Sequence, residues 1–211
     1  FRSLSRWYNQ FFKRAFDLSV ATVGTIAISP ILLGIAIAIK ASSPGPAFYA
    51  HRRIGKDGIY FNCYKFRSMV VDSDRRLQEY LRANPEAAKE WEETHKLKHD
   101  PRVTKIGAFL RKTSLDELPQ LFNVIRGQMS LVGPRPIVDE EVIKYDVFFS
   151  DYTMVRPGMT GLWQTSGRSD TSYSRRVRLD AWYVRNWNIW LDISLLVKTV
   201  RVVLSSHSGA Y

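Results

Sequence analysis

Acidic residues are scarce in this chain. Of 211 residues only 20 are Asp or Glu, against 31 Lys or Arg, a formal net charge of +11. Such an excess implies an anionic partner: nucleic acid, acidic lipid headgroups or phosphorylated substrates. Cysteine is scarcer still. Cys63 stands alone, which excludes an intrachain disulfide and points to a reducing compartment. There is no internal repeat, no low-complexity tail and no secretory signal with a small-residue cleavage site. His95 and His99 lie four apart, a metal-compatible spacing on a helix, but no third ligand stands nearby, so they read as a surface pair rather than a zinc site. The first residue is Phe1 and not Met, which predicts a C-terminal part of a longer chain. The length and an ordinary 45% hydrophobic share suit one domain with its own core, over residues 1–211.

Charge is missing altogether from Leu18 to Ile39. At 1.5 Å per residue such a run extends roughly 33 Å as a helix, enough to cross the hydrocarbon of a bilayer. Two features argue against a simple span. Ser29-Pro30 falls mid-run, and proline removes a helical hydrogen bond; the Ser29 hydroxyl is placed to bond a freed carbonyl. Both flanks are also basic, with Arg2, Arg6, Lys13 and Arg14 before the run and Lys40, Arg52, Arg53 and Lys56 after it. Positive residues mark the cytoplasmic side, so charge at both ends fits a segment that enters and leaves by one face. From the residues alone, span and re-entry stand about equal. The preceding residues 1–14 mix aromatics with Arg and Lys, as an interfacial helix does.

The acids that matter sit in a basic setting. Between Asp100 and Pro136, Asp116 and Glu117 are adjacent, amid Arg102, Lys105, Arg111, Lys112, Arg126 and Arg135. That pattern suggests chemistry on an anion, with cations holding phosphate oxygens. Ser114-Leu115-Asp116-Glu117 also fits a capping box. Pro119 would then fall one turn into the helix, so the helix either starts late, near Pro119, or has a distorted first turn. Spacing alone favours capping for Glu117 and leaves Asp116 open.

Elsewhere the pattern predicts a β-hairpin, 47–54 and 59–66, turning through Lys56-Asp57-Gly58. Arg52, Arg53, Lys65 and Arg67 cluster on it, most of them as solvated or headgroup-facing cations. Polar helices follow at about 73–83 and 85–98, the second opened by Asn84 and Pro85, then a short helix at 104–112. Residues 127–136 read as a strand and loop in which Arg135 is locked between Pro134 and Pro136. A helix follows to about 149. The segment 156–168 is either a structural turn or a loop over a nucleotide, with Trp163 stacking and Gln164 hydrogen bonding. Helices end the chain at 172–204, with Trp182, Tyr183, Trp187 and Trp190 divided between core and interface.

TSLDELPQLFNVIRGQMSLVGPRP at 113–136 resembles the core of the bacterial sugar transferases, the monotopic phosphoglycosyl transferases. KRAFDL at 13–18, Ser29-Pro30, residues 45–69 and RPGMTGLWQTSGR at 156–168 resemble further family segments in family order. The resemblance implies an α+β, mainly helical fold: a re-entrant helix broken at Ser29-Pro30 (anchor about 15–40), interfacial amphipathic helices, and a small β-hairpin around an active-site core at about 100–136. It implies transfer of a sugar-1-phosphate, with galactose the expected sugar, from a UDP-sugar to undecaprenyl phosphate. UMP is released, in the first membrane step of O-antigen, capsule or exopolysaccharide assembly at the cytoplasmic face of the bacterial inner membrane. It casts Asp116 as nucleophile and metal ligand, Glu117 as proton carrier, Lys65, Arg111 and Arg135 as phosphate-binding cations, and Mg²⁺ as cofactor. Surrounding cations are expected to keep Asp116 ionised. Anionic inner-membrane lipids are expected partners, a homodimer is left open, and nucleic acid is not expected, given residues 18–39. The rival reading is a non-catalytic basic membrane scaffold, which explains charge and anchor but not the acidic pair.

Overall fold

The computed structural model describes residues 3–94, 97–166 and 172–204. It is mainly helical, with two small sheets. The first helix, α1 (Trp7–Ser42), is 36 residues long. It passes through Ser29-Pro30 without interruption, so the expected helix-break-helix is not a gap in the helix. Pro30 cannot donate to the Ile26 carbonyl; the Ser29 hydroxyl does so instead, at 2.8 Å. Only a narrow stripe of α1 is buried: Lys13, Asp17, Ala21, Leu32 and Ile39. Val23, Ile26, Ile31, Leu33 and Ile37 on its other faces are each more than half exposed.

The hairpin forms as its turn chemistry predicts. Strands β1 (Phe48–Ile54) and β2 (Tyr60–Phe66) pair antiparallel, from Phe48 opposite Phe66 to Ile54 opposite Tyr60. The turn puts Asp57 and Gly58 at positive φ, which Gly tolerates without a Cβ penalty. Two of the hairpin's cations are not solvated. Arg67 is buried and donates to the Ser43 and Pro44 carbonyls. Arg53 is mostly covered and meets Glu141. Arg52 is the exposed one, stacked 3.8 Å over Tyr60.

Helices α2 (Ser73–Ala83) and α3 (Pro85–Thr94) follow, then α4 (Lys105–Thr113), whose N-cap Thr104 accepts from the Gly107 amide. Next come α5 (Gln120–Ile125) and β3 (Ser130–Val132). The single helix expected to 149 is two, α6 (Asp139–Tyr145) and α7 (Phe149–Thr153), divided at Asp146, which has positive φ. Strand β4 (Gly158–Thr160) lies parallel to β3, with Ser130 opposite Gly158. Helices α8 (Tyr173–Asn186) and α9 (Ile189–Leu204) complete the described chain. Of their aromatics, Tyr183 and Trp187 are core, whereas Trp182 and Trp190 are exposed.

Three apolar clusters hold the body. Met129, Val132, Val184 and Leu195 centre the first, Leu32, Ile39, Phe66 and Leu110 the second, Ile54, Ile137, Tyr145 and Tyr152 the third. The first two include α1, which therefore docks near both of its ends. Polar bonds strengthen the early end. Buried Lys13 donates to Asp192 at 2.6 Å, and Asp17 accepts from the Ser130 hydroxyl at 2.7 Å and the Leu131 amide at 3.2 Å. Arg14 donates to the Val124 and Ile125 carbonyls, serving the end of α5. Lys13 and Arg14 are thus committed to the body rather than free as topology-marking charges.

Candidate active site

Three elements bring four of the five sequence-predicted residues together. Lys65 is near the end of β2, Arg111 is in the last turn of α4, and Asp116 and Glu117 sit in a 3₁₀ turn, Leu115–Glu117. The capping-box expectation fails, and the reason is local. Ser114 adopts the left-handed conformation (φ 57°) and closes α4 through its own amide, which bonds the Leu110 and Arg111 carbonyls. Its side chain caps nothing. The following helix, α5, starts late, immediately after Pro119. Released from capping, Glu117 accepts from the Lys65 ammonium at 2.7 Å, across 52 residues of sequence. Both side chains are about a third exposed, so this pair orients more than it stabilises.

Asp116 is half-buried beside this pair. Burial pushes its carboxyl above the ordinary range and Glu117 adds to the rise; Lys65 and Arg111 oppose it without reversing it. The expected dominance of the cations is therefore corrected: desolvation wins. No side chain among the described residues donates a hydrogen bond to Asp116. Its carboxylate takes a backbone amide bond, which leaves the rest of its acceptor capacity to an incoming group.

Arg111 is held by a residue that the sequence did not single out. Its Nε donates to the Ser68 hydroxyl at 2.9 Å. The Ser68 carbonyl accepts from the Thr104 amide at 3.1 Å and lies so close to Gly107 that a Cβ there would collide with it. This seat fixes α4, and with it Arg111, against the end of the hairpin. The only signal in the sequence is the position of Ser68 three residues after Lys65.

Arg135 approaches from the other side of Cys63, a thiol on which both it and Glu117 act. The antiparallel bridge between Ile54 and Ile137 puts its segment beside the turn-proximal half of the hairpin, whereas Lys65 is on the far half. Its guanidinium lies 3.7 Å from Glu141, which also lies 3.7 Å from Arg53. Glu141 further accepts from the Val138 amide and the Tyr173 hydroxyl. Arg53 and Glu141 are thus site-adjacent residues that sequence reasoning passed over. Between the two halves is Cys63, whose thiol burial pushes up to about 11, which makes it a poor nucleophile at neutral pH. Behind Arg135 is fully buried Asp180, which accepts from the Tyr145 hydroxyl at 2.8 Å. Burial drives its carboxyl up to about 7, eased by Tyr145 and by the Arg135 amide.

The nucleotide-loop alternative for 156–168 loses its stacking platform: Trp163 is buried, with the Arg176 guanidinium 4.7 Å from its ring centre. Of the histidine pair, His99 is exposed and His95 lies outside the described residues. Among the described residues no three His, Cys, Asp or Glu side chains converge as a metal cage. Mg²⁺ does not require one, since one or two carboxylates complemented by substrate phosphates and water suffice. Asp116, with Glu117 beside it, fits that donor set.

A family model described as bacterial sugar transferase matches residues 8–206. The chain is 51% identical to the undecaprenyl-phosphate galactose phosphotransferase of Salmonella typhimurium, over 99% of this chain and 44% of that protein. It is 51% identical to exopolysaccharide production protein ExoY of Rhizobium meliloti, over 94% of this chain and 88% of that one. It is 41% identical to the UDP-glucose:undecaprenyl-phosphate glucose-1-phosphate transferase of Escherichia coli, over 91% of this chain and 40% of that one. The chain thus spans less than half the length of the Salmonella and Escherichia coli relatives, and most of ExoY.

Proposed function

Because the chain belongs to the bacterial sugar transferase family, we propose that it is a phosphoglycosyl transferase that moves a sugar-1-phosphate from a UDP-sugar to undecaprenyl phosphate. Galactose is the proposed sugar, on the strength of the Salmonella relative's name at 51% identity against 41% for the glucose-named relative. The observation that carries the mechanism is Asp116: half-buried, within electrostatic reach of Lys65 and Arg111, and without a side-chain donor among the described residues.

In the proposed first step an Asp116 carboxylate oxygen attacks the sugar-bearing phosphorus. The bond from that phosphorus to the bridging diphosphate oxygen breaks, and UMP leaves. In the second step a phosphate oxygen of undecaprenyl phosphate attacks the same phosphorus and the Asp116 carboxylate departs, giving an undecaprenyl diphosphate sugar. Lys65 and Arg111 hold phosphoryl oxygens as charge redistributes, and Glu117, tethered by Lys65, carries the proton. Arg135, on its proline-flanked segment, binds a more distant phosphate of the substrate. Asp116 would hold Mg²⁺, which would supply neutralisation of diphosphate charge.

The same reading places the protein at the cytoplasmic face of the inner membrane, with α1 re-entrant. Its support is the docking of α1 near both ends on one body. Lys13 and Ile39, both buried there, are roughly 39 Å apart along a helix. A full span would carry one of those docking sites through the hydrocarbon. Single cysteines at positions 10 and 44, in a Cys63→Ser background, are expected to react alike with an impermeant reagent in spheroplasts; reaction of only one sinks re-entry.

The mechanism is tested by incubating the protein with labelled UDP-galactose and no acceptor, quenching, and mapping the modified peptide by mass spectrometry. A phosphosugar on Asp116 is expected. A phosphosugar on Glu117, or none despite turnover once acceptor is added, overturns the assignment.

A further inference from the structure

A second basic site lies at the opposite end of the hairpin from Asp116. A small cleft opens beneath the first turns of α1, lined by Gln10, Lys13, Arg14, Lys56, Ser130 and Arg156, with Asp17 at its back. The charges around it are unevenly matched. Asp17 is turned to Ser130 and the Leu131 amide, and Lys13 is taken by Asp192. Among the described residues the three remaining cations hydrogen-bond to neutral partners: Arg14 to the Val124 and Ile125 carbonyls, Lys56 to the Gln10 side-chain oxygen, Arg156 to the Gly127 carbonyl. Arg156 uses only its Nε for this, so both terminal nitrogens of its fork remain unused among the described residues. Burial first and Arg14 next disfavour its charge, while Asp17 and Asp57 partly offset them. Asp17 and Asp57 act on Arg156 from a distance, but none of the three half-buried cations is ion-paired among the described residues, and together they make a site for an oxyanion. On the outer faces of the same turns Trp7, Phe11 and Phe12 are each more than 60% exposed, aromatics of the kind that mark headgroup depth in a bilayer.

We propose that this cleft binds a phosphate diester or monoester anion, with Arg156, Lys56 and Arg14 as its donors, and that its occupant is the headgroup of an anionic phospholipid. The site is separate from the proposed catalytic carboxylates and seats the early part of α1 at the membrane surface.

The test uses the detergent-solubilised full chain and native mass spectrometry, with phosphatidylglycerol and phosphatidylcholine titrated in parallel and inorganic phosphate as competitor. The wild-type protein is expected to retain phosphatidylglycerol over phosphatidylcholine, and Arg156→Gln and Lys56→Gln are each expected to weaken that preference about fivefold. Lys56 lies in the hairpin turn, so its variant keeps the test decisive if Arg156→Gln fails to fold. Displacement of phosphatidylglycerol by millimolar inorganic phosphate supports the oxyanion site but identifies a soluble phosphate as its occupant. Equal retention of the two lipids by the wild-type protein, or an unchanged preference in both variants, overturns the proposal.

Discussion

Two groups of buried charge in this molecule are built on opposite plans. Beneath α1, Asp192 accepts from Lys13, the Tyr183 hydroxyl and the Trp187 indole, and Asp17 from Ser130 and Leu131. Every strong acceptor there has its donors, and both carboxylates are almost wholly buried. At the hairpin's far end Asp116 has two cations near it and, among the described residues, no side-chain donor, and Glu117 has one ammonium. Saturation fixes a structure, because removing any member strands a buried charge. Incomplete saturation leaves oxygens for a substrate. On the proposed function, that difference separates scaffold from chemistry, although an Asp and a Lys stand in both groups.

The largest expected effects test that division directly. Asp116→Asn should reduce turnover by roughly three or more orders of magnitude and abolish the labelled intermediate, while the melting temperature stays near that of the wild-type protein. Lys13→Met should do the reverse, costing about 3–5 kcal/mol of stability by stranding Asp192, with normal turnover per folded molecule. UMP release and thermal denaturation in detergent read both; a Lys13→Met protein that is stable but inactive breaks the comparison. Next in size is Arg135→Lys, which keeps the charge but loses the planar fork and should lower kcat/KM by about tenfold or more. Exposed Arg82→Ala on α2 serves as the control with little change.

Smaller effects sharpen the picture around Asp116 and Asp180. Ser68→Ala frees Arg111 to wander and should cost about tenfold in kcat/KM. Because Arg111 lowers the Asp116 carboxyl, the acid limb of the pH profile should move to higher pH, which a merely structural loss would not cause. Ser68→Thr should restore it. Asp180 gives a pH signature of its own. Its folded-state carboxyl is raised to about 7 from 3.8, so the folded protein binds more protons between those values and loses stability as pH rises through them. Asp180→Asn should flatten that slope and raise the melting temperature at pH 8 more than at pH 5, by up to about 4 kcal/mol in stability.

Much of this was readable from the chain. The uncharged run, the hairpin with its Lys56-Asp57-Gly58 turn, the late helix start near Pro119 and the basic setting of Asp116 all follow from local rules of pattern and turn chemistry. What escaped depends on partners distant in sequence. Glu117 reads as a cap because its three-residue offset from Ser114 is visible, whereas Lys65 is 52 residues away. Lys13 reads as a flanking charge because Asp192 is 179 residues away. Asp116 was expected to be governed by neighbouring charge, and the burial that outweighs it exists only once α4, the hairpin and the 3₁₀ turn have closed around it. Arg135 reads as a cation on a proline-flanked segment, but its companions Arg53 and Glu141 come from a hairpin and a helix that no short motif joins.

The bond from Ser29 to the Ile26 carbonyl has an evolutionary reading. In a lipid-facing stretch, Pro30 alone would leave that carbonyl bare, and an unsatisfied group in hydrocarbon is costly. Serine one residue earlier repairs the damage from within the same turn. The two positions therefore make a single heritable unit. Proline arriving first is penalised, and serine lost first is penalised, while serine arriving before proline is harmless. Any lineage that acquired this dipeptide therefore had one gentle order in which to do so.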